Sequence, residues 1–439
     1  MKRIAAFVIS VMMICLSGLS ASAVDYMFSA DTVSDAVYLE NLSAGAVVYE
    51  KNSDKRSYPA STTKIMTFII TAENVGDLEH TEVTVRQELL DGLDPESTMM
   101  GLSEHIGEKV SVRDLLYGLM LPSGNDAALV LADYVGGGIA GFVEKMNAKA
   151  AELGCANTHF ANPHGLYDAG HYSTARDMAL ITKYAMTLPD FMEICGTVYY
   201  TPAGFNTLHN TNYMIDPEAE GGSYYYEYTR GIKTGYLDEA GKCLVTSSDK
   251  DGDQYLCVCF GARFSYEENV NYAMKDTAKL YEQAYGSLGV QTIFSPEDGL
   301  ASVDVKYVRN GKTLSAVPGK AITAFLPNQY DKSKLKVEVS CAEQVEAPVA
   351  KGDVLGTVSV RYEDLDLGVT DLLAAEDVER DISPLEAFIT EHMVLVIILT
   401  TALLLILVSL IALLSSRSSR KRRKARHHSR ARKGQRFRD

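Results

Sequence analysis

The sequence predicts an α+β fold: an antiparallel sheet flanked by helices, then a small all-β domain and a C-terminal membrane-spanning helix. Three observations predict it. Helix-period segments alternate with strand-like runs from about Asp25 to Val290, two pairs of those runs are split by tight polar turns, and from about Phe294 to Ala374 the pattern becomes short strands and turns, ahead of a long apolar stretch.

The chain begins "MKRIAAFVISVMMICLSGLSASA", a basic start, an apolar run and the small-residue ending Ala21, Ser22, Ala23. This is the pattern of a cleavable secretory leader, placed at 1–23, and the apolar run is short for a membrane span. The large α+β domain that follows is placed at 24–292. In it "DAVYLENLSAGAVVYE" and "KCLVTSSDKDGDQYLCVCFGA" read as hairpins turning at "SAG" and "DKDGD", while Lys64 to Val75, Val112 to Leu121 and Gly141 to Leu153 carry helical periodicity. The β domain, 293–374, rests on "ASVDVKYVRNGKTL", "AITAFLP", "KLKVEVS" and "GTVSVRYEDLDLG". An acidic stalk with some helix is expected over 375–392.

Met393 to Leu414 is unbroken apolar sequence, long enough to cross a bilayer, and the basic tail 415–439 behind it places that end in the cytoplasm. The expected topology is therefore the large domain outside the cell membrane, one pass through it and the basic tail inside. The whole chain has 42 Lys and Arg against 57 Asp and Glu. Setting the leader and tail aside leaves the exterior part about 28 charges negative, which argues against a nucleic-acid partner. Of seven cysteines, Cys15 leaves with the leader. The other six could pair after export, but Cys257 and Cys259 alternate in an apolar run and would point to one face as buried thiols do, which favours free thiols over disulfides, and no Cys-x-x-Cys metal pattern is present.

Three motifs bear on chemistry. Ser61 and Lys64 in "PASTTKIMT" stand a helical turn apart at a helix start, where a serine serves equally as nucleophile or as cap. The same spacing recurs at Ser247 to Lys250, Ser333 to Lys336 and Ser418 to Lys421, so alone it says little. "LPSGNDAA" adds Ser123 and Asn125 at the end of an apolar helical run, and "RGIKTGYLDEAG" adds Lys233, Thr234, Gly235 and Tyr236 on a strand-like segment. In that order the residue types meet the demands of acyl transfer. A serine near the positive end of a helix is joined by a lysine that a second cation and burial would keep neutral, a hydroxyl for proton transfer, and an amide for a substrate carbonyl. Lys233 and Thr234 suit a carboxylate, and Gly235 lets a peptide lie against the strand.

With these motifs and the stretches "VYLENLSAGAVVYEKNSDKRSYPASTTKIMT", "HFANPHGLYDAGHYSTARDMALI", "NTNYM" and "APVAKGDVLGTVSV", the chain resembles the D-alanyl-D-alanine carboxypeptidases of the low-molecular-mass penicillin-binding protein family along nearly its whole length. The resemblance implies a penicillin-binding-protein and β-lactamase-like fold. Ser61 would form the acyl-enzyme, Lys64 would be its base and Ser123 would assist proton transfer. Lys233 and Thr234 would hold the substrate carboxylate, Asn125 and Gly235 would line the peptide, and the amides of Ser61 and Tyr236 would form an oxyanion hole. The implied substrates are peptidoglycan stem peptides ending in D-Ala-D-Ala, with β-lactams as inhibitors and no cofactor or metal. The ending departs from the family, whose members commonly finish in an amphipathic helix lying on the membrane rather than a full span.

A β-lactamase or Ser-x-x-Lys esterase, and a catalytically silent wall-binding factor, are the alternative readings. The trailing β domain and span argue against the first, and the complete motif set against the second. His159, His164, Asp168 and His171 cluster in sequence but follow no zinc-protease spacing, and no Gly-x-Ser-x-Gly elbow occurs. The aromatic stretch "SYYYEYTR" before Lys233 is either a groove lining or a solvent-facing hairpin.

Overall fold

The computed structural model describes residues 28–434, apart from 95–96, 266–269 and 310; the leader at 1–23 lies outside the described residues. The chain divides into two compact units. The first comprises residues up to Thr292 with Thr323–Leu335 and Arg361–Leu367, and the second comprises Ile293–Ile322, Lys336–Val360 and the chain from Gly368.

In the first unit both expected hairpins form. β1 (Ala36–Asn41) and β2 (Ala46–Lys51) make one, and β4 (Gly241–Lys250) and β5 (Asp253–Ala262) make the other. β3 (Thr229–Leu237) pairs antiparallel with β4, and β5 pairs with β1. The order is β2-β1-β5-β4-β3, so the strand bearing Lys233 to Gly235 is an edge of the sheet.

The two-residue period of the central strands explains how the sheet serves two cores at once. Ala36 and Tyr38 with Leu256, Val258 and Phe260 face one core, whereas Val37 and Leu39 with Tyr255, Cys257 and Cys259 face the other. The first core holds α1 (Lys64–Asn74), α2 (Val112–Met120), α3 (Asn125–Gly136), α4 (Ile139–Glu152) and α5 (Ala175–Ala185). The second holds α6 (Tyr272–Ser287). α2 and α5 start where Ser111 and Thr174 accept hydrogen bonds from the amides of Asp114 and Asp177, the local signal that fixes a helix start.

The stretch "SYYYEYTR" divides its residues: Tyr225, Glu227, Thr229 and Arg230 line a cavity, while Tyr224 and Tyr226 pack inward. Tyr224 is buried, and the Tyr226 ring stacks on Tyr281 of α6 with centroids 5.9 Å apart. Its aromatic run packs this segment onto α6 because ring area, rather than strand pairing, is what the neighbouring helix offers. Among the described residues the six cysteines are free, and Cys257 and Cys259 share one buried face.

The second unit carries a six-stranded sheet ordered Leu335–Cys341, Val354–Tyr362, Leu365–Ala374, Lys312–Pro318, Ala301–Lys306, Gln344–Glu346. Val303, Val305, Leu314 and Ala316 alternate with exposed polar neighbours, the pattern of a sheet with one buried face. A helix at Pro384–Glu391 follows, closed by a reciprocal cap between Ser383 and Glu386. The last helix, Met393–Gly434, is apolar and exposed over Met393–Ser419, long enough to cross a membrane.

Candidate active site

The site begins in a short 3-10 turn, Ala60–Thr63, that runs directly into α1. Two glycines hold this turn from opposite sides. Gly165, at φ +87°, lies so close that a Cβ there would come 2.0 Å from the Ala60 carbonyl oxygen. On β3 a Cβ at Gly235 would stand 3.0 Å from the Ala60 Cβ and 3.1 Å from the Ser61 nitrogen. Ala60 itself sits at φ 48°, a left-handed conformation unusual for a residue with a Cβ. Backbone therefore meets backbone at Ser61, and side chains are excluded from both flanks.

Ser61 is not a helix cap. Neither terminus-flanking residue of the turn or of α1 makes a side-chain cap bond, and the Ser61 hydroxyl instead lies 3.0 Å from Lys64 Nζ. Lys64 is fully buried and also donates to Asn125 Oδ1 at 2.7 Å and to the His164 carbonyl at 2.8 Å. Three partners suit an ammonium, but a neutral amine fits equally well. It has two hydrogens for the two carbonyl oxygens and one lone pair for the serine hydroxyl. Burial pulls the Lys64 pKa well below that of a free lysine, and the charge of Lys233 pulls the same way, while Asp126 opposes both.

Lys233 is buried too, and burial takes its pKa down to about 7. Its Nζ donates to the Thr234 carbonyl at 3.1 Å. The Thr234 hydroxyl meets that of Thr211 at 2.5 Å. Asn125 opens α3, and the next residue, Asp126, is a buried carboxylate that accepts amides from Met100, Gly101, Leu102 and Ala127 at 2.9 to 3.0 Å. That saturated carboxylate ties the 100–102 segment to the start of α3 and fixes Asn125 against Lys64.

A cleft of about 640 Å³ is lined by Ser61, Ser123, Asn125, Thr234, Gly235 and Tyr236, with Lys64 and Lys233 beneath its wall. Ser123 sits at φ 67°, its carbonyl takes a 2.7 Å bond from Thr98, and among the described residues its buried hydroxyl makes no hydrogen bond. The Tyr236 phenol donates to Asp238 at 2.7 Å.

The histidine cluster shapes the loop that supplies the His164 carbonyl. His171 Nδ1 accepts the Ala161 amide at 3.1 Å, so its Nε2 carries the proton and donates to Thr63 Oγ1 at 2.8 Å. His164 Nδ1 accepts the Leu166 amide, His159 Nδ1 meets the Gly170 carbonyl, and Asp168 accepts the Gly170 amide. Burial holds His164 and His171 neutral, at about 3 and about 4. Among the described residues no group of three or more His, Cys, Asp or Glu is arranged to hold a metal. Asp126, Thr211 and Gly165 escaped the sequence reading. Each nevertheless falls in a stretch singled out there, Asp126 in "SGNDAA", Thr211 in "NTNYM" and Gly165 in "HFANPHGLYDAGH".

Residues 25–264 match the family model described as D-alanyl-D-alanine carboxypeptidase, and 291–380 match that of the penicillin-binding protein 5 C-terminal domain. The chain is 32% identical over 355 residues to the D-alanyl-D-alanine carboxypeptidase DacF of Bacillus subtilis, covering 79% of this chain and 85% of that one. It is 30% identical over 375 residues to DacA of Haemophilus influenzae, covering 83% and 91%. Among solved structures it is similar to penicillin binding protein 5 from Haemophilus influenzae, at 26% identity and a TM-score of 0.57, over 80% of this chain and 99% of that one.

Proposed function

Because the chain belongs to the D-alanyl-D-alanine carboxypeptidase family, we propose that it is anchored in the cell membrane and trims the terminal D-alanine from peptidoglycan stem peptides through an acyl-enzyme on Ser61. It is a serine-type carboxypeptidase. The observation that carries the residue assignment is the 3.0 Å approach of Lys64 Nζ to the Ser61 hydroxyl, with the amine buried beside a second lysine.

In this reading the neutral Lys64 amine takes the Ser61 proton as Oγ attacks the carbonyl carbon of the penultimate D-alanine. The tetrahedral intermediate collapses, the peptide C–N bond breaks, and Ser123 relays the proton held by Lys64 to the departing amine of D-alanine, which leaves Lys64 neutral and Ser123 unchanged. Water then adds to the ester and frees Ser61. Thr234 meets the substrate carboxylate through its hydroxyl, Lys233 acts on it from beneath the strand only through its charge, and Asn125 and Gly235 support a peptide laid along the edge of β3. The amides of Ser61 and Tyr236 receive the developing oxyanion. β-Lactams acylate the same serine, because their strained amide resembles the scissile bond.

The domain reading stands beside it: leader 1–23, catalytic domain 24–292, β domain 293–374, stalk 375–392, span 393–414 and tail 415–439. The apolar helix Met393–Ser419 supports the anchor, and the Lys and Arg after it support a cytoplasmic tail with the enzyme outside.

The test uses the full chain in detergent. Fluorescent penicillin should add one adduct that maps to Ser61, a D-Ala-D-Ala pentapeptide should release D-alanine, and Ser61→Ala should lose both. An adduct that clears quickly without D-alanine release would make the protein a β-lactamase, and no adduct would leave a silent wall-binding factor.

A pH profile follows from the lysine pair. Attack needs Lys64 unprotonated, so a lowered pKa carries activity to lower pH, and kcat/KM should fall only as pH drops through that lowered value. Lys233→Met removes the neighbouring charge that depresses Lys64. The acid limb of the profile should then move to higher pH, and a limb that stays in place would mean burial alone sets the base.

A further inference from the structure

The two lysines of the motifs are badly placed to meet a substrate carboxylate directly. Both are buried beneath the cleft wall, and Lys233 Nζ is turned to the carbonyl of its own neighbour Thr234. Of the described residues that line the cleft, Lys242 is the sole cation. It is the second residue of β4 and stands directly opposite Tyr236 across the β3–β4 pair. Strand alternation then puts its side chain on the same face as Tyr236 and Thr234, one diagonal step from the Thr234 hydroxyl.

Among the described residues the neighbours of the ammonium are aromatic faces rather than an anion. Lys242 Nζ lies 3.9 Å from the Tyr236 ring centroid and 4.7 Å from that of Phe264, and among the described residues no carboxylate pairs with it. Its partial burial also lowers its pKa. A half-desolvated cation without a counter-ion gains more from an arriving carboxylate than a solvated one, because its hydration is already partly lost. The Thr211 and Thr234 pair complements it. When Thr211 donates to Thr234 Oγ1, the Thr234 proton is left to point at a ligand.

We propose that Lys242 is the charged anchor for the free α-carboxylate of the D-Ala-D-Ala terminus, working beside the Thr234 hydroxyl. The inference rests on the reading of Ser61 as nucleophile in this cleft. It makes Lys242 a specificity-determining residue, which selects substrates ending in a free acid.

The experiment compares the full-length protein in detergent with Lys242→Met and Lys242→Arg, on diacetyl-Lys-D-Ala-D-Ala and on the same peptide with a C-terminal carboxamide. Losing a charge-assisted contact should lower kcat/KM for the acid by about 10- to 100-fold in Lys242→Met, chiefly through KM. The carboxamide should change by no more than about twofold, and Lys242→Arg should keep most of the preference for the acid. Equal losses on both peptides, or no loss on the acid, would overturn the proposal. Acylation of Ser61 by benzylpenicillin and by its methyl ester, followed by intact mass, reads the same discrimination without turnover. Wild-type protein that takes up penicillin but releases no D-alanine would sink the carboxypeptidase reading, and the acid-to-ester ratio in Lys242→Met would still decide the anchor. No acylation by either compound would overturn Ser61 and the anchor together.

Discussion

Lys64→Met is expected to slow acylation of Ser61 by about 10³-fold, the scale of a lost general base. The expectation comes from where the serine proton has to go. The Ser61 hydroxyl has Lys64 Nζ at 3.0 Å, and the three histidines nearby are committed elsewhere, two of them accepting main-chain amides and one facing a main-chain carbonyl. Methionine matches the volume of lysine and removes a buried amine whose charged form is costly, while it leaves Asn125 Oδ1 and the His164 carbonyl without a donor. These effects oppose one another, so the melting temperature should stay within about 5 °C. Stopped-flow acylation by a chromogenic β-lactam, with thermal unfolding as control, measures both. A variant that acylates within about tenfold of wild type would mean that the proton leaves by another route.

Gly235→Val should be nearly as damaging and for a different reason. A Cβ at 235 meets the Ala60 Cβ at 3.0 Å, the Ser61 nitrogen at 3.1 Å and the Pro59 carbonyl at 3.2 Å, and valine adds two methyl groups beyond it. Two of these neighbours are backbone atoms, so relief requires the nucleophile turn to move away from the strand. A displacement of about 1 Å at reacting atoms costs on the order of 10² in rate, and a loss of that size in kcat/KM is expected, with Gly235→Ala between the two. Gly286→Ala serves as control. Nothing lies within 4 Å of a Cβ there, and it ends α6 well away from the motifs, so activity should be unchanged. Activity in Gly235→Val near that of wild type would mean that the turn tolerates displacement.

Much of this was legible in the sequence because the signals are local. The hairpins at β1–β2 and β4–β5 follow from apolar runs split by Gly and Asp turns, and each forms where the turn residues sit. The helix starts follow from Ser111 and Thr174, whose caps depend on neighbours three residues on. The apolar stretch from Met393 needs only composition and length. Ser61, Lys64, Ser123, Asn125 and Lys233 to Tyr236 could be singled out because the chemistry restricts which residue types serve, even though the chain separates them by up to 175 positions.

The remainder depends on who stands beside whom. The aromatic run 224–228 has the same composition whether it faces solvent or a helix, and only the position of α6 sends Tyr224 and Tyr226 inward. Asp126 reads as an ordinary helix-start acid until the 100–102 amides close over it. Lys242 reads as one more surface lysine until the strand register sets it opposite Tyr236 at the cleft. By itself, then, the sequence determined the elements, their order and the reactive residue types, because these follow from short-range periodicity and from chemistry that tolerates few substitutes. Tertiary structure alone decided how deeply Lys64 and Lys233 are buried, that Gly235 also lies against the Ser61 turn, and that Lys242 stands on the wall of the cleft. Burial, close backbone approach and the placing of charge are properties of groups that meet only when the chain has folded.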